Sequence, residues 1–279
     1  MLVNNTPLED HRAEYGLWVK REDLCCPPPG PPFSKTRGVF AHIRNRPERV
    51  IGVLDTHHSQ AGHAVAQACA LLGKQCVNFY PVRKAEQGVG LKPQQAAALE
   101  LGADLCHLPA GRSAILYHQA KKRLAELYQN DGTTYMMPNA LKLPEMVTET
   151  AAEVARTLEA HPDIPEDIPV LIAISSGTIA AGVIKGFTDA GRWGSPFILH
   201  MGYDRSEDAV GNYIQSTSGV DLDEVDCTLV NEGYSYGDKA LPGLLPPWSS
   251  NPYYDLKAFQ WWLTDGRRTW GEALLWNIG

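Results

Sequence analysis

The 279-residue sequence has no long hydrophobic run and no basic, apolar leader at its start. No window is apolar enough to span a bilayer, so we expect no membrane partner. Residues 1–7 contain neither basic side chains nor an apolar stretch of targeting-signal length, and we therefore expect a cytoplasmic location.

Positive charge is also scarce. The chain holds 25 Lys and Arg residues against 32 Asp and Glu residues, which gives a net charge of −7. An acidic balance of this kind argues against binding along a phosphate backbone, so we do not expect nucleic acid as a partner.

Common cofactor and metal motifs are missing as well. No Gly-x-Gly-x-x-Gly precedes a helix and no Walker-type Gly-Lys-Ser/Thr is present, which disfavours a nucleotide-dependent α/β enzyme. Adjacent histidines such as His57 and His58 point in different directions, and with His63 they have no cysteine or carboxylate at zinc-site spacing, so we predict no metal site. The six scattered cysteines indicate a reduced intracellular protein; they are Cys25, Cys26, Cys69, Cys76, Cys106 and Cys227.

What the sequence does contain is a regular alternation of strand-like and helix-like segments. Apolar runs at 50–54 and 170–174 precede helical patterns, as is typical of parallel sheets with right-handed crossovers. The chain is long enough for two interlocked domains. We predict a larger domain from residues 1–45 and 138–279, with a smaller domain of residues 46–137 inserted into it.

The first motif with chemical meaning surrounds Lys35. The lysine follows a charged segment at 20–24 and a Pro-rich loop, within Pro32-Phe33-Ser34-Lys35-Thr36-Arg37-Gly38. Most lysines are solvated surface charges, so this one gains weight only from further segments in the right order. A lysine amine can hold a carbonyl cofactor covalently.

The second motif is the segment 56–66, which contains Ser59, Gln60, Ala61 and Gly62. It follows an apolar run and precedes a helical pattern, so backbone N–H groups at the helix start would point at any anion bound there. This arrangement suits an amino-acid carboxylate. Ser59 and Gln60 could also simply cap the helix, which is compatible with that role.

The third motif follows the apolar run at 170–174 and consists of Ser175, Ser176, Gly177, Thr178 and Ile179. Small residues and hydroxyls at a strand-to-helix turn can hold a phosphate without a bulky side chain in the way. Such a turn is common in α/β proteins, and its meaning depends on the other two motifs.

In this order, the three segments resemble the fold-type-II pyridoxal-phosphate enzymes of the tryptophan-synthase-β family, and particularly the branch of aminocyclopropane-carboxylate deaminase and D-cysteine desulfhydrase. The resemblance implies an α/β fold of two interlocked three-layer domains with mostly parallel sheets, and pyridoxal 5'-phosphate as cofactor. It implies that Lys35 is the Schiff-base lysine, that 175–179 bind the cofactor phosphate and that 59–62 bind the substrate carboxylate. Gln60 replaces an asparagine that contacts the cofactor ring oxygen, and Ser59 matches a serine that can act on the substrate.

Two C-terminal segments extend the resemblance. Residues 231–237 are similar to the branch's Gly-Pro-x-Tyr-Gly turn, and residues 251–259 to its Asp-Pro-Val-Tyr-x-Gly-Lys-Ala. The match makes Tyr236 and Tyr254 candidate catalytic phenols and places Asp255 opposite the pyridine nitrogen, where an acid would keep that nitrogen protonated.

Alternatives to these C-terminal assignments stay open. The tyrosines could be ordinary core aromatics, and Asn277 or a hydroxyl could be the ring partner. Ile278 stands where the family has a hydroxyl residue, which indicates a divergent and compact member.

These observations predict a pyridoxal-phosphate-dependent lyase or deaminase that acts on an amino acid or amino-acid-like group, with Lys35 as the leading base. We expect a small-molecule substrate and a homodimer. Two alternatives remain: a decarboxylase or eliminase for an amino acid attached to a larger carrier, favoured by Gln60 and Ile278, and a non-catalytic relative that binds the cofactor.

Overall fold

The computed structural model describes residues 2–56, 58–82, 90–129 and 132–279. The strands, numbered along the chain, are β1 (Leu8–His11), β2 (Leu17–Arg21), β3 (Val50–Leu54), β4 (Gln75–Val82), β5 (Asp104–Pro109), β6 (Thr134–Met136), β7 (Val170–Ile174), β8 (Phe197–Met201), β9 (Cys227–Val230) and β10 (Ala273–Asn277). The α-helices are α1 (Arg12–Tyr15), α2 (Thr36–Arg44), α3 (Ala61–Leu72), α4 (Pro93–Glu100), α5 (Ser113–Leu127), α6 (Pro144–Ala160), α7 (Thr178–Asp189), α8 (Glu207–Ser218), α9 (Asp255–Trp261) and α10 (Arg267–Trp270).

The first of two compact units comprises Pro27–Pro31 and Thr36–Glu145. Its four-stranded sheet has the order β5-β4-β3-β6, and every pairing in it is parallel. All five residues of β3 are buried, because helices cover the sheet and an apolar run is required on both faces. This unit includes more chain than the predicted insertion of residues 46–137, since α2 packs against α3.

The second unit comprises Leu2–Cys26, Pro32–Lys35 and Met146–Gly279. Its six-stranded sheet has the order β1-β2-β10-β7-β8-β9, in which only the β1–β2 pairing is antiparallel. The predicted α/β class with mostly parallel sheets is therefore confirmed. The late strand β10 lies between β2 and β7, so that Leu275 pairs with both Val19 and Leu171.

The charged segment that precedes the Lys35 loop forms a buried network in the second unit. Lys20 Nζ lies 2.8 Å from Glu153 Oε1, and both side chains are fully buried. Asp23 accepts a 2.8 Å hydrogen bond from Asn277 Nδ2, which fastens the end of β10. Removing one partner of a buried pair costs more than the pair contributes, so these charges have a structural role.

No helix within the described ranges is both long and apolar enough to cross a membrane. His57, one of the histidines considered as a metal ligand, lies outside the described residues. Among the residues that are described, no three His, Cys, Asp or Glu side chains are placed to share a metal ion.

Candidate active site

The loop between β7 and α7 has the geometry of an anion site. Gly177 adopts a left-handed backbone with φ of 85°, and a Cβ there would lie 2.8 Å from Ile214 Cγ1. Only glycine fits such a position without strain. The 12-residue helix that begins at Thr178 leaves its first backbone N–H groups unpaired within the helix, and these groups attract a phosphate.

Lys35 contacts this loop directly. Its Nζ donates a 3.3 Å hydrogen bond to Ser176 Oγ, which is 3.0 Å from Thr178 Oγ1. The Thr178 hydroxyl is in turn 3.0 Å from the hydroxyl of Tyr213 on α8. Two motifs that are far apart in the sequence are therefore joined by one chain of hydrogen bonds. Sequence reasoning missed Tyr213, because it belongs to no motif and lies on an ordinary amphipathic helix.

The segment that follows β10 links the Lys35 loop to Asp255. Ser34 N donates to Ile278 O at 2.9 Å, and Ile278 N donates to Asp255 Oδ1 at 2.8 Å. Ile278 makes both of these hydrogen bonds with its backbone. The absence of a hydroxyl side chain at this position therefore does not disturb either contact.

Asp255 is a buried acid with one unused oxygen. Asp255 is the first residue of α9 and is only 1% exposed. Its Oδ2 atom has no hydrogen-bond partner within the described ranges. Burial raises the pKa of Asp255 to about 7, against the opposing effect of the Ile278 N–H group. A buried carboxyl oxygen without a partner is costly, and a protonated ring nitrogen would satisfy it.

Asn277, the other candidate for the ring partner, is already engaged. Its Nδ2 donates to Asp23 Oδ1 and to Ser249 O, and its Oδ1 accepts from Ser250 Oγ. The hydrogen-bond pattern therefore favours Asp255 for this role.

The two candidate phenols lie together beside the phosphate loop. Burial raises the pKa of Tyr254, and the nearby groups that also affect its pKa are Tyr236, Ser175 and Tyr203. The Tyr254 ring covers Gly202, where a Cβ would collide with it. Tyr236 is 40% exposed, whereas Tyr254 is half-buried.

The predicted carboxylate loop belongs to the first unit. Ser59 Oγ accepts a 3.0 Å hydrogen bond from Ala61 N, so the hydroxyl caps the start of α3 as one interpretation of the sequence expected. Gln60 Oε1 is buried and has no hydrogen-bond partner among the residues that the structure describes. A Cβ on Gly62 would collide with the Asn78 amide, which explains the glycine.

Two buried polar residues near this loop had no place in the sequence motifs. Asp55 is fully buried; burial raises its pKa to about 7, although Thr56 N donates to its Oδ1 at 2.8 Å. Within the described residues, Asp55 Oδ2 and both polar atoms of the Asn78 side chain make no contact of full hydrogen-bond geometry, although the Gly62 N–H group and the Asn78 amide both lie near enough to lower the carboxyl pKa. An asparagine inside the apolar run of β4 was the sequence signal that could have revealed them.

Comparison with known proteins places the chain among enzymes of one cofactor class. Residues 1–222 match the family described as pyridoxal-phosphate dependent enzyme. The chain is 51% identical over 286 aligned residues to a protein of Pseudomonas phage M6 named glycyl-dTMP PLP-dependent decarboxylase, and the match covers 100% of both proteins.

Solved structures show the same architecture at low sequence identity. An ACC deaminase homologue matches with a TM-score of 0.77 and 19% identity, over 98% of this chain and 89% of that chain. Diaminopropionate ammonia lyase from Escherichia coli matches with a TM-score of 0.66 and 15% identity, over 99% of this chain and 82% of that chain. Likeness at these identities establishes the fold, and it confirms the predicted tryptophan-synthase-β-like architecture.

Proposed function

Because the chain belongs to the family of pyridoxal-phosphate-dependent enzymes, as its motifs predicted, we propose that it decarboxylates a glycyl group carried on a thymidine nucleotide. The observation that carries this proposal is the 51% identity, over the full length of both chains, to the phage glycyl-dTMP decarboxylase. The predicted cofactor is confirmed by the family. The carrier-bound decarboxylase, one of the two alternatives from the sequence, is better supported than a deaminase of free amino acids.

The described residues fit the cofactor at three points. Lys35 supplies an amine beside Ser176, the turn at Gly177 supplies backbone N–H groups for a phosphate, and Asp255 supplies an unpartnered buried oxygen for a ring nitrogen. When bound, pyridoxal phosphate supplies an aldehyde that condenses with an amine and a ring that withdraws electrons from the substrate carbon.

The chain's own groups account for the remaining chemistry. Asp255 Oδ2 would accept the proton of the ring nitrogen, and its burial would strengthen that charge pair. The bond between the substrate carbon and its carboxylate breaks, CO2 leaves, and the electron pair stays on the carbon. The ammonium of Lys35 then delivers a proton to that carbon, with Ser176 Oγ orienting the amine.

We propose the Ser59–Gly62 segment as the site of the substrate carboxylate, as the family resemblance implies. The segment contains a hydroxyl and a side-chain amide but no lysine or arginine. Its Ala61 N–H group donates to Ser59 Oγ, and its Gly62 N–H group lowers the pKa of the Asp55 carboxyl. Burial lowers the pKa of the neighbouring His63, whose Nε2 lies 2.8 Å from Pro29 O.

Product analysis tests the proposal. The purified protein, loaded with pyridoxal phosphate, is incubated with glycyl-dTMP labelled in the glycyl carboxyl group, and both labelled CO2 and the mass of the nucleotide product are measured. We expect labelled CO2 and a nucleotide that has lost one carboxyl group. Ammonia release from free amino acids, with no CO2 from glycyl-dTMP, would instead identify a deaminase, and no turnover of either would leave the non-catalytic relative. The predicted homodimer and the predicted exclusion of nucleic acid stay predictions.

A further inference from the structure

Two aromatic rings meet at the edge of the second unit's sheet where its parallel strands end. Tyr203 follows β8 and packs against Tyr236 with ring centroids 5.1 Å apart and planes at 88°. Edge-to-face packing occupies at most one face of either ring. Because Tyr236 is 40% exposed and Tyr203 is half-buried, the pair presents aromatic surface to solvent.

This tyrosine pair adjoins the chain of hydrogen bonds that begins at Lys35. Ser175 lies next to Ser176, which accepts from Lys35 Nζ, and Ser175 and Tyr236 both affect the pKa of the Tyr254 hydroxyl. Gly202, immediately before Tyr203, donates through its N–H group to Ile174 O at the end of β7. The tyrosine pair therefore lies at the same end of the second unit's sheet as the loop that Lys35 contacts.

One basic side chain lies beside the tyrosine pair. The guanidinium of Arg205 lies 6.0 Å from the centre of the Tyr203 ring and donates through Nη1 to Ser175 O. Asp204, the acid between Tyr203 and Arg205, accepts a 3.0 Å hydrogen bond from Asn231 Nδ2.

We propose that Tyr203, Tyr236 and Arg205 bind the nucleotide part of the substrate, with a pyrimidine base stacked on the tyrosine pair and a phosphate paired with Arg205. This inference rests on the proposed function. Aromatic side chains stack on any base, and a guanidinium has a fork geometry that matches phosphate oxygens. The same chemistry serves a free nucleotide or a nucleotide within a DNA strand.

Equilibrium binding of dTMP to the pyridoxal-phosphate-loaded protein tests the stacking contact. Tyr203→Ala should weaken dTMP binding by about 5- to 100-fold, because base stacking is lost. Tyr203→Phe, which keeps the ring, should stay within about threefold of the parent. Trp193→Ala is a matched control: Trp193 is 47% exposed but precedes β8, whereas Tyr203 follows it, and this variant should bind dTMP as the parent does.

The phosphate contact has a separate test. Arg205→Gln should lower the affinity for dTMP by about tenfold or more while leaving the affinity for thymidine nearly unchanged, since thymidine lacks the phosphate. The visible absorption of the bound cofactor reports whether the Ser175 loop is intact in this variant. Binding of a short thymidine oligonucleotide distinguishes a free nucleotide from a nucleotide within a DNA strand. If the oligonucleotide binds more tightly than dTMP and its affinity falls steeply with salt, the ligand is a nucleotide within a strand. If it binds no more tightly than dTMP, the ligand is the free nucleotide.

The result that overturns the inference is a parent protein that does not bind dTMP, or a Tyr203→Ala variant that binds it as the parent does. If the parent still releases CO2 from glycyl-dTMP, the proposed function holds and only this surface is rejected. If neither CO2 release nor dTMP binding is observed, both fail.

Discussion

The loop around Ser176 and the loop around Ser59 differ in how their polar groups are satisfied. In the second unit, Lys35, Ser176, Thr178 and Tyr213 form an unbroken chain of hydrogen bonds. In the first unit, by contrast, several buried polar atoms near the Ser59 loop make no hydrogen bond of full geometry within the described part of the chain; they are Gln60 Oε1, Asp55 Oδ2, Asn78 Nδ2 and Asn78 Oδ1.

This difference has an energetic meaning. A buried polar group without a partner costs about 1–3 kcal/mol, whereas a satisfied network stabilises its own geometry. We therefore expect the second unit to hold its cofactor loop in place by itself, and the first unit to gain order when a ligand or water satisfies its polar atoms. Four substitutions test the two halves of this comparison.

Lys35→Ala removes the start of the hydrogen-bonded chain and should have the largest effect. Without the amine that holds the cofactor and moves the proton, CO2 release should fall by more than about a thousandfold. The visible band of the bound cofactor should also disappear. Lys185→Ala on α7 is the matched control, because Lys185 pairs with Asp189 at the surface. This variant should keep both the CO2 release and the visible band of the parent.

Asp255→Ala should separate cofactor binding from catalysis. Lys35 and the Gly177 turn remain, so the cofactor should be retained, but the ring nitrogen would lose its buried acid and CO2 release should slow by about a hundredfold or more. The measurement is the rate of CO2 release by the variant and by the parent. A rate within about threefold of the parent, equivalent to less than ~1 kcal/mol, would reject Asp255 as the ring partner.

Asp55→Asn tests the loop around Ser59 in the first unit. The measured quantity is the pH dependence of the free energy of unfolding. The folded-state pKa of Asp55 is about 7, raised from 3.8, so the folded protein keeps a proton that the unfolded chain releases between these values. Stability therefore falls as pH rises through this window, by roughly 2 kcal/mol from pH 5 to pH 7 for this one group. Urea unfolding at the two pH values should show that loss reduced in Asp55→Asn.

The matched control is Asp189→Asn, which makes the same substitution at a surface aspartate whose side chain is 57% exposed and pairs with Lys185. Asp255 has a similarly raised pKa and keeps its own contribution in both variants. If the free energy of unfolding of Asp55→Asn changed with pH as much as that of the parent, the folded protein would not hold a proton on Asp55.

Tyr213→Phe should have the smallest effect. It removes the hydroxyl that lies 3.0 Å from Thr178 Oγ1, and a neutral hydrogen bond contributes about 0.5–1.5 kcal/mol. Cofactor affinity, measured by titration of the visible band, should fall less than about tenfold. A loss as large as that of Lys35→Ala would mean that Tyr213 contacts the cofactor itself.

Local sequence patterns were sufficient to predict much of the fold. The run at 170–174 and the helix from Thr178 follow from hydrophobicity and small residues alone, and the structure has β7 and α7 at these positions. Lys35 and Ser176 could be connected beforehand only through the family resemblance.

Other features depend on contacts between distant parts of the chain, which local patterns do not encode. The short run of β10 gives no indication that it lies between β2 and β7. The orientation of Asp255 depends on the backbone of Ile278, and the role of Tyr213 depends on how α8 packs beside Thr178. Such partners could be identified only once the sheet order was known.

The central position of β10 also has a consequence for how the protein is made. Residues of β2 pair with β10, which follows far later in the sequence, as Leu17 does with Ala273. Until the ribosome has made β10, β2 and β7 have exposed edges with nothing between them, and unpaired edges invite aggregation. The second unit is therefore expected to fold slowly, with chaperones most useful in the interval before β10 is synthesised.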